Sequence, residues 1–345
     1  MSDNEIINPI GYSGWDNLVL SSDSYSFFHS STWARVLSES YGYKPVYFTS
    51  YCKDRLLFVI PLMEIKTFLT AKRAVSLPFT DYVEPIHADG RQFQDTFDHI
   101  FTYAKKANWK YLELRGAETF LADKPPYSYY YIHILRLSEN VEETLRKFRS
   151  STKRNINKAM KEGVAVGTHN STKSMEEFYR LHCITRKKHG FPPQPYYFFE
   201  KIADHIITKD RGIIVLASYK NEVIAANVYF HFGKKAVYKY GASDTRYHHL
   251  RANNLVMWEA IKWYCQHGYE SFCFGRTDPK NIGLLQFKSG WGTKQEIVKY
   301  YKYLPRTQSF ISNDSNITYH SQKIFNKLPI PLLRLIGSAL YPHLG

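Results

Sequence analysis

The residues best placed to do chemistry are Lys288, Arg276 and Asp278. They fall in two glycine-rich stretches, Phe274-Gly275-Arg276-Thr277-Asp278 and Gly283-Leu284-Leu285-Gln286-Phe287-Lys288-Ser289-Gly290-Trp291-Gly292. Both read as turns that leave strands, and Phe287 and Trp291 would anchor the second. A cation held on such a turn can stabilise a developing oxyanion, and a carboxylate beside it can accept a proton or orient an amine. That set suits attack of an uncharged amine on an acyl group already activated as an ester or thioester. The alternatives are plain ones: Lys288 as a surface lysine next to a tight turn, and Arg276 in a structural ion pair. A covalent nucleophile is not indicated. Cys265 and Cys273 read as buried, and neither Ser243 nor Ser289 has a base adjacent in sequence.

Other chemistries lack their motifs. The chain has no Walker A sequence, no GxGxxG after a first strand, no HExxH and no GxSxG. His248-His249 would need further ligands to hold a metal, so no metal site is expected. The four cysteines, Cys52, Cys183, Cys265 and Cys273, show no CxxC spacing. Buried free thiols in a reducing compartment therefore fit better than zinc or disulfides. With 46 Lys+Arg against 31 Asp+Glu, the net charge of +15 favours polyanionic partners or a solvated basic surface. The acidic N-terminus lacks a hydrophobic signal region, and no run is long enough to span a bilayer. A cytoplasmic protein is expected, with peripheral contact with the inner membrane face as a further option.

The elements that must position these residues follow in order. A Ser/Thr cluster before Trp33 and Gly42 after Tyr41 bracket a helix. Residues 43–52 and 55–65 read as a hairpin turning at Lys53-Asp54. Residues 79–85 form a turn-rich strand exit, residues 92–107 a helix, and residues 109–115 and 127–137 strands. One basic helix is expected over 141–162, with Phe148, Ile156 and Met160 as its buried stripe. Arg154, Lys158 and Lys161 share its outer face, which either holds phosphates or is simply solvated. Helices over 173–189 and 196–207 are separated by a proline loop that cannot be helical. Three strands (212–219, 223–232 and 235–240), a helix, and the short strand 271–274 complete the second half. Residues 307–318 read as a linker. The final stretch, 324–344, reads as an amphipathic helix that either docks on the fold or touches a membrane. An α/β fold results, with similar element order in the two halves. The expected divisions are 1–135, 136–305, and a tail of 306–345.

Four motifs carry a family resemblance: Tyr240-Gly241-Ala242-Ser243, Ala252-Asn253-Asn254-Leu255-Val256-Met257-Trp258-Glu259, Phe274-Gly275-Arg276-Thr277, and Gly283 through Gly292. In these the chain resembles the FemAB-like acyltransferases, in particular their CelD-like branch. The FHSSTW stretch and the basic helix before Gly163 also fit. The resemblance implies two tandem GNAT-like domains, each a mostly antiparallel sheet flanked by helices. It implies transfer of an acetyl or aminoacyl group to an amine of a cell-envelope glycan or peptidoglycan-type precursor. The co-substrate would be acyl-CoA or aminoacyl-tRNA, with no tightly bound cofactor, and the acceptor a small-molecule or lipid-linked substrate. On this reading Lys288, Arg276 and Asp278 are catalytic. Arg246, Arg251, Asn254, Arg154 and Lys158 hold donor phosphates, and Tyr240, Ser243 and Trp291 meet the acceptor.

The chain departs from the family at two places that bear on the acceptor. Leu37 stands where peptidoglycan-type members carry a lysine, and Pro78-Phe79-Thr80-Asp81 replaces an Arg-Gly-Pro-like turn. The loop Arg246–Arg251 also lacks the glycines of a coenzyme A phosphate loop. Two readings from other classes remain: a non-catalytic protein binding RNA or a membrane surface through its basic face, and a scaffold recruited to polysaccharide synthesis by its tail.

Overall fold

Strand β1 (Asp3–Ile7) and helix α1 (Trp15–Leu20) lead into helix α2 (Ser31–Tyr41), which starts and stops on its sequence signals. The Ser30 hydroxyl accepts the Trp33 N–H, and Gly42 closes the helix in the left-handed region at φ 68°. The structure, a computed structural model, describes residues 3–52, 55–87, 93–312 and 325–345. The expected turn at Lys53-Asp54 lies outside the described residues. Two units divide the chain, one holding residues up to 131 with 297–312 and 342–345, the other 132–296 with 325–341.

The first unit continues through β2 (Lys44–Cys52), β3 (Arg55–Ile65), β4 (Arg73–Val75), β5 (Ile86–His87), α3 (Phe93–Lys106) and β6 (Leu112–Arg115). β1, β2 and β3 pair antiparallel in sequence order, β4 joins β3, and β6 runs parallel to β4. Its core packs Phe97, Ile100 and Ala104 of α3 on Phe48, Phe58, Ile60, Leu112 and Leu114. This is the face that the 3.6-residue periodicity of the helix predicts.

A half-buried carboxyl pair is formed by Glu84, just before β5, and Glu118, after β6. Glu84 accepts the Ala117 N–H at 3.0 Å, and Glu118 accepts the Lys299 N–H at 3.0 Å. Burial first, then the neighbouring Glu118 charge, pushes the Glu84 carboxyl up to about 8. The folded state therefore keeps a proton that the unfolded chain releases above its ordinary carboxyl pKa. Stability should fall as pH rises from about 4.5 to about 8, by at most about 1.4 kcal/mol per pH unit. Urea midpoints taken at pH 5 and pH 8 should show this slope, and Glu84→Gln should flatten it.

After β7 (Ser128–Arg136), the second unit runs through α4 (Val141–Arg146), α5 (Ser150–Lys161), β8 (Ala165–His169), α6 (Thr172–Lys188) and α7 (Tyr196–His205). Then come β9 (Gly212–Tyr219), β10 (Glu222–Phe232), β11 (Lys235–Ser243), α8 (Ala252–Gln266), β12 (Ser271–Thr277) and α9 (Ile282–Ser289). β13 (Lys294–Leu304) and β14 (Ser309–Ile311) follow; residues 297–312 belong to the first unit, within which β13 pairs β6 through residues 300–303. β14 occupies part of the expected linker. Helix α10 (Ile330–Leu340) belongs to the second unit.

The second unit's sheet orders its strands β7-β12-β11-β10-β9-β8, antiparallel from β8 to β11 and parallel between β11 and β12. Strand alternation sorts its two faces. Ile213, Val215 and Ala217 pack in the core under α8 and α5, with Leu255, Val256 and Ile261. On the other face, rings from α6 and α7 (Phe178, His182, Phe199) meet Tyr240 of β11.

Four expectations need correction. The single basic helix over 141–162 is two helices, broken where Arg149 is extended and donates its N–H to the Gly290 carbonyl at 2.9 Å. A tertiary hydrogen bond thus outweighs local helix propensity. Met160 is 49% exposed, and Ala159 takes its place in the buried stripe. The stretch around Lys288 is a helix rather than a turn, because Asn281 caps Leu284 and the eight residues that follow from Ile282 stay helical. Cys183 and Cys265 are buried free thiols, but Cys273 is only half-buried.

Candidate active site

β11 and β12 pair through only three rows, Lys235–Ser271, Ala236–Phe272 and Val237–Cys273. Beyond these rows they part, and β11 continues to Ser243 alongside β10. A bulge marks the same place: Val228 faces Tyr240 and Tyr229 faces Tyr238, leaving Lys239 as the extra residue. Two parallel strands that diverge open a crevice beyond their carboxyl ends, where α/β proteins commonly bind ligands. Each strand end carries one group of the expected site residues.

At the β12 end, Gly275 adopts φ 69°, and Arg276 and Thr277 continue the strand. Lys288, in the last turn of α9, is 3% exposed. Its ammonium donates to the Gly275 carbonyl at 2.8 Å and the Arg276 carbonyl at 3.1 Å. Its place is therefore buried, clamped on the backbone of this turn, and not a surface lysine. Its charge also reaches His133 of β7, whose ring is held below the usual imidazole range by burial and then by Lys288. Arg276 is half-buried. Asp278 is exposed and accepts the Lys280 N–H at 2.8 Å, so it shapes the loop before α9.

At the β11 end, Ser243 lies between three partners. Its hydroxyl is 3.1 Å from His248 Nε2 and accepts from Asn253 at 3.2 Å, and its backbone N–H donates to Thr185 at 3.0 Å. Ser243 therefore does have an imidazole beside it, brought back by the 3₁₀ turn over Thr245–Leu250. Burial, then the nearby Lys188 charge, pushes His248 below its ordinary value. Arg251 is exposed, adopts φ 62°, and stands at the N-terminus of α8. Free amides at such an end, together with the guanidinium, favour an anion. Asn254 is buried in the first turn of the helix.

The remaining expected residues are placed differently. Arg246 is engaged by Asp244 at 2.7 Å and Glu222 at 2.8 Å, an ion-pair network that ties the loop to the start of β10. Arg154 and Lys158 lie exposed on α5. Trp291 is fully buried, packed against Phe148, Phe274 and Phe287, so its ring belongs to the core and not to a surface that an acceptor would touch. The glycines around it serve packing. A side chain at Gly290 would meet the Thr152 hydroxyl, and one at Gly292 (φ 69°) would lie 2.6 Å from the Lys147 carbonyl oxygen.

Sequence reading missed His133 and His182. Both are buried, and His182 Nε2 has no hydrogen-bond partner among the described residues. Neither histidine has a neighbour in sequence that would have singled it out. Only the packing of β7 near α9, and of α6 on β11, gives them context.

The acetyltransferase (GNAT) domain family matches residues 146–289, which contain both parting strands and both groups. A lipid II:glycine glycyltransferase of Staphylococcus haemolyticus (strain JCSC1435) is 33% identical over 100 residues, 27% of this chain and 24% of that protein. A UDP-N-acetylmuramoylpentapeptide-lysine N(6)-alanyltransferase of Weissella viridescens is 25% identical over 127 residues, 36% of each chain. The solved structure of FemX superposes with a TM-score of 0.66 at 14% identity, covering 86% of this chain and 96% of FemX. Residues 146–289 thus match a GNAT domain, within a chain that has the fold of FemX. The fold is shared more widely: a tandem GNAT protein from the clavulanic acid biosynthesis pathway gives a TM-score of 0.57 at 8% identity, over 88% and 99% of the two chains. The sequence matches span only about a quarter to a third of the curated relatives' lengths. The expected α/β fold with GNAT-like tandem architecture is thus observed. Among the described residues no helix is long and apolar enough to cross a membrane.

Proposed function

We propose that this chain is a FemAB-like N-acyltransferase, moving an acetyl or aminoacyl group from an activated donor to an amine of a cell-envelope precursor. The observation that carries the reading is the parting of β11 and β12. One strand end leads to Arg251 and the N-terminus of α8, and the other to a backbone turn clamped by buried Lys288. Anion-binding amides on one arm suit a phosphate-bearing donor. The buried ammonium on the other supplies fixed positive charge where an acyl oxygen becomes an oxyanion. Support for the substrate class comes from the relatives' names, which specify transfer of glycine to lipid II and of alanine to a muramoylpentapeptide lysine.

In this reading Lys288 acts partly through the Gly275–Arg276 backbone, and Arg276 and Asp278 line the loop that follows. Arg251, Asn254 and Ser243 with His248 hold the donor's phosphate side. Arg246 contributes indirectly by bracing the loop through Asp244, while Tyr240 orients the acceptor amine. Direct attack by the amine needs no covalent enzyme intermediate. The amine must lose a proton, and neutral His248 or His133 is chemically able to take it.

The donor is tested by offering acetyl-CoA or charged tRNA with amine acceptors and following donor turnover, with ribonuclease added to the tRNA reaction. Arg251→Ala should raise the donor KM about tenfold while leaving kcat within about twofold. An unchanged donor KM would remove Arg251 from the donor site.

A further inference from the structure

Residues 144–161 of the second unit hold seven cations and no carboxylate. They form the end of α4 and all of α5, and six of the seven are exposed. Other cations of this unit find partners, as Arg180 does in Glu177, Arg246 in Asp244 and Lys262 in Glu259. Those on α4 and α5 make no ion pair among the described residues. The side chains of Lys147 and Lys153 donate to main-chain carbonyls, of Arg136 and Arg146, and that of Arg149 to the Ser289 hydroxyl. The carboxylates next in sequence, Glu143 and Glu162, lie beyond the two ends of the row, and Glu143 accepts the Ser138 hydroxyl at 2.6 Å.

The helical repeat sorts α5 into two sides. Thr152, Ile156 and Ala159 turn inward, and the side directly opposite carries Ser150, Arg154, Asn157, Lys158 and Lys161. That outer side holds cations and hydrogen-bonding groups and no apolar residue. The row also starts at the helix that carries Lys288. The Arg149 guanidinium donates to the Ser289 hydroxyl at 3.3 Å, and the Arg149 N–H to the Gly290 carbonyl at 2.9 Å. α5 begins without a side-chain cap, so its first amides add donors at the same end. From Arg149 to Lys161 the row runs about 18 Å.

We propose that this row binds the sugar–phosphate backbone of RNA, one end of which then lies beside the helix that carries Lys288. The row selects this occupant. It offers nothing apolar for a bilayer to take up. A single nucleotide would cover only part of its length, whereas a nucleic-acid strand presents a phosphate about every 3.4 Å of axis. A second copy would bring the same cations against themselves. Binding does not depend on the transfer reaction. The role of the RNA does rest on that reading: it would carry the acyl group as an ester of its terminal ribose. The attacking amine forms the C–N bond as the ester C–O bond breaks, and the amine's proton ends on the released ribose hydroxyl.

Fluorescence anisotropy of the full chain with a labelled, unacylated RNA hairpin bearing a single-stranded 3′ end tests it. The logarithm of the binding constant should fall linearly with the logarithm of salt concentration. Arg154→Gln with Lys158→Gln should weaken binding about tenfold or more and lower that slope by about two. Thermal melts should match the parent, because both side chains are exposed and glutamine suits a helix. Lys173→Gln with Lys209→Gln removes the same charge from exposed positions off the row and should leave affinity and slope near the parent's. Equal effects of the two double variants would overturn the proposal. So would parent binding to phosphatidylglycerol vesicles that the row variant abolishes while RNA binding persists. Absence of RNA binding by the parent would overturn this inference and leave transfer from acetyl-CoA standing. RNA binding on the row without transfer from any donor would remove the transfer reading and leave this one.

Discussion

Lys288→Met is expected to lower kcat for acyl transfer about a hundredfold or more, with KM for donor and acceptor within about threefold. Methionine fills the same buried volume but removes the charge and both hydrogen bonds to the Gly275 and Arg276 carbonyls. Those carbonyls would lose a buried donor, so a stability loss of about 1–3 kcal/mol should accompany the kinetic effect. A purely structural role is distinguished in two ways. Lys288→Arg keeps the charge and should recover part of the rate. His133 should also titrate closer to the ordinary imidazole range in the methionine variant, because the nearby positive charge that lowers it is gone. Two-dimensional NMR of the histidine ring reads that shift directly. An unchanged kcat in Lys288→Met would remove this lysine from the reaction.

Gly292→Ala should cost about 3 kcal/mol or more of stability, measured by urea unfolding. Two penalties combine. The residue sits at φ 69°, where L side chains are strained, and a Cβ there would lie 2.6 Å from the Lys147 carbonyl oxygen, a backbone atom that cannot swing aside. The corner it closes joins the end of α9 to the break between α4 and α5, through Arg149 N–H and the Thr152 hydroxyl on the Gly290 carbonyl. Partial unfolding of that corner would also loosen the helix that carries Lys288. Gly283→Ala is the control, since nothing lies within 4 Å of its added carbon.

Much of the fold was legible because its signals are local. The Ser30 cap, the Gly42 stop and the turns at Lys220-Asn221 and Gly233 that separate β9, β10 and β11 each depend on residues close in sequence. What escaped depends on distant partners. β8 is short and exposed at three of its five positions, so its apolar pattern is weak, and pairing with β9 defines it. α9 was hidden by its glycines, because Gly283 suggests a turn, whereas the Asn281 cap decides for a helix. The site shows the same division. Lys288, Arg276 and Arg251 stood out by type and spacing. Trp291 stood out too, but the same large ring that drew attention belongs to the core. Ser243 and His248 are five residues apart, yet their contact follows from the turn between them. The pairing of Glu84 with Glu118 depends on backbone donors from Ala117 and Lys299 that no local pattern predicts.

The most direct test of acyl transfer is mass spectrometry of an amine-bearing peptidoglycan-type acceptor after incubation with the protein and either acetyl-CoA or charged tRNA. The expected result is a mass increase of one acyl or aminoacyl group on the amine with one of the donors, and loss of that product in Lys288→Met. No mass increase with either donor, together with RNA binding that weakens steeply with salt, would contradict the account and leave a basic binding protein in its place.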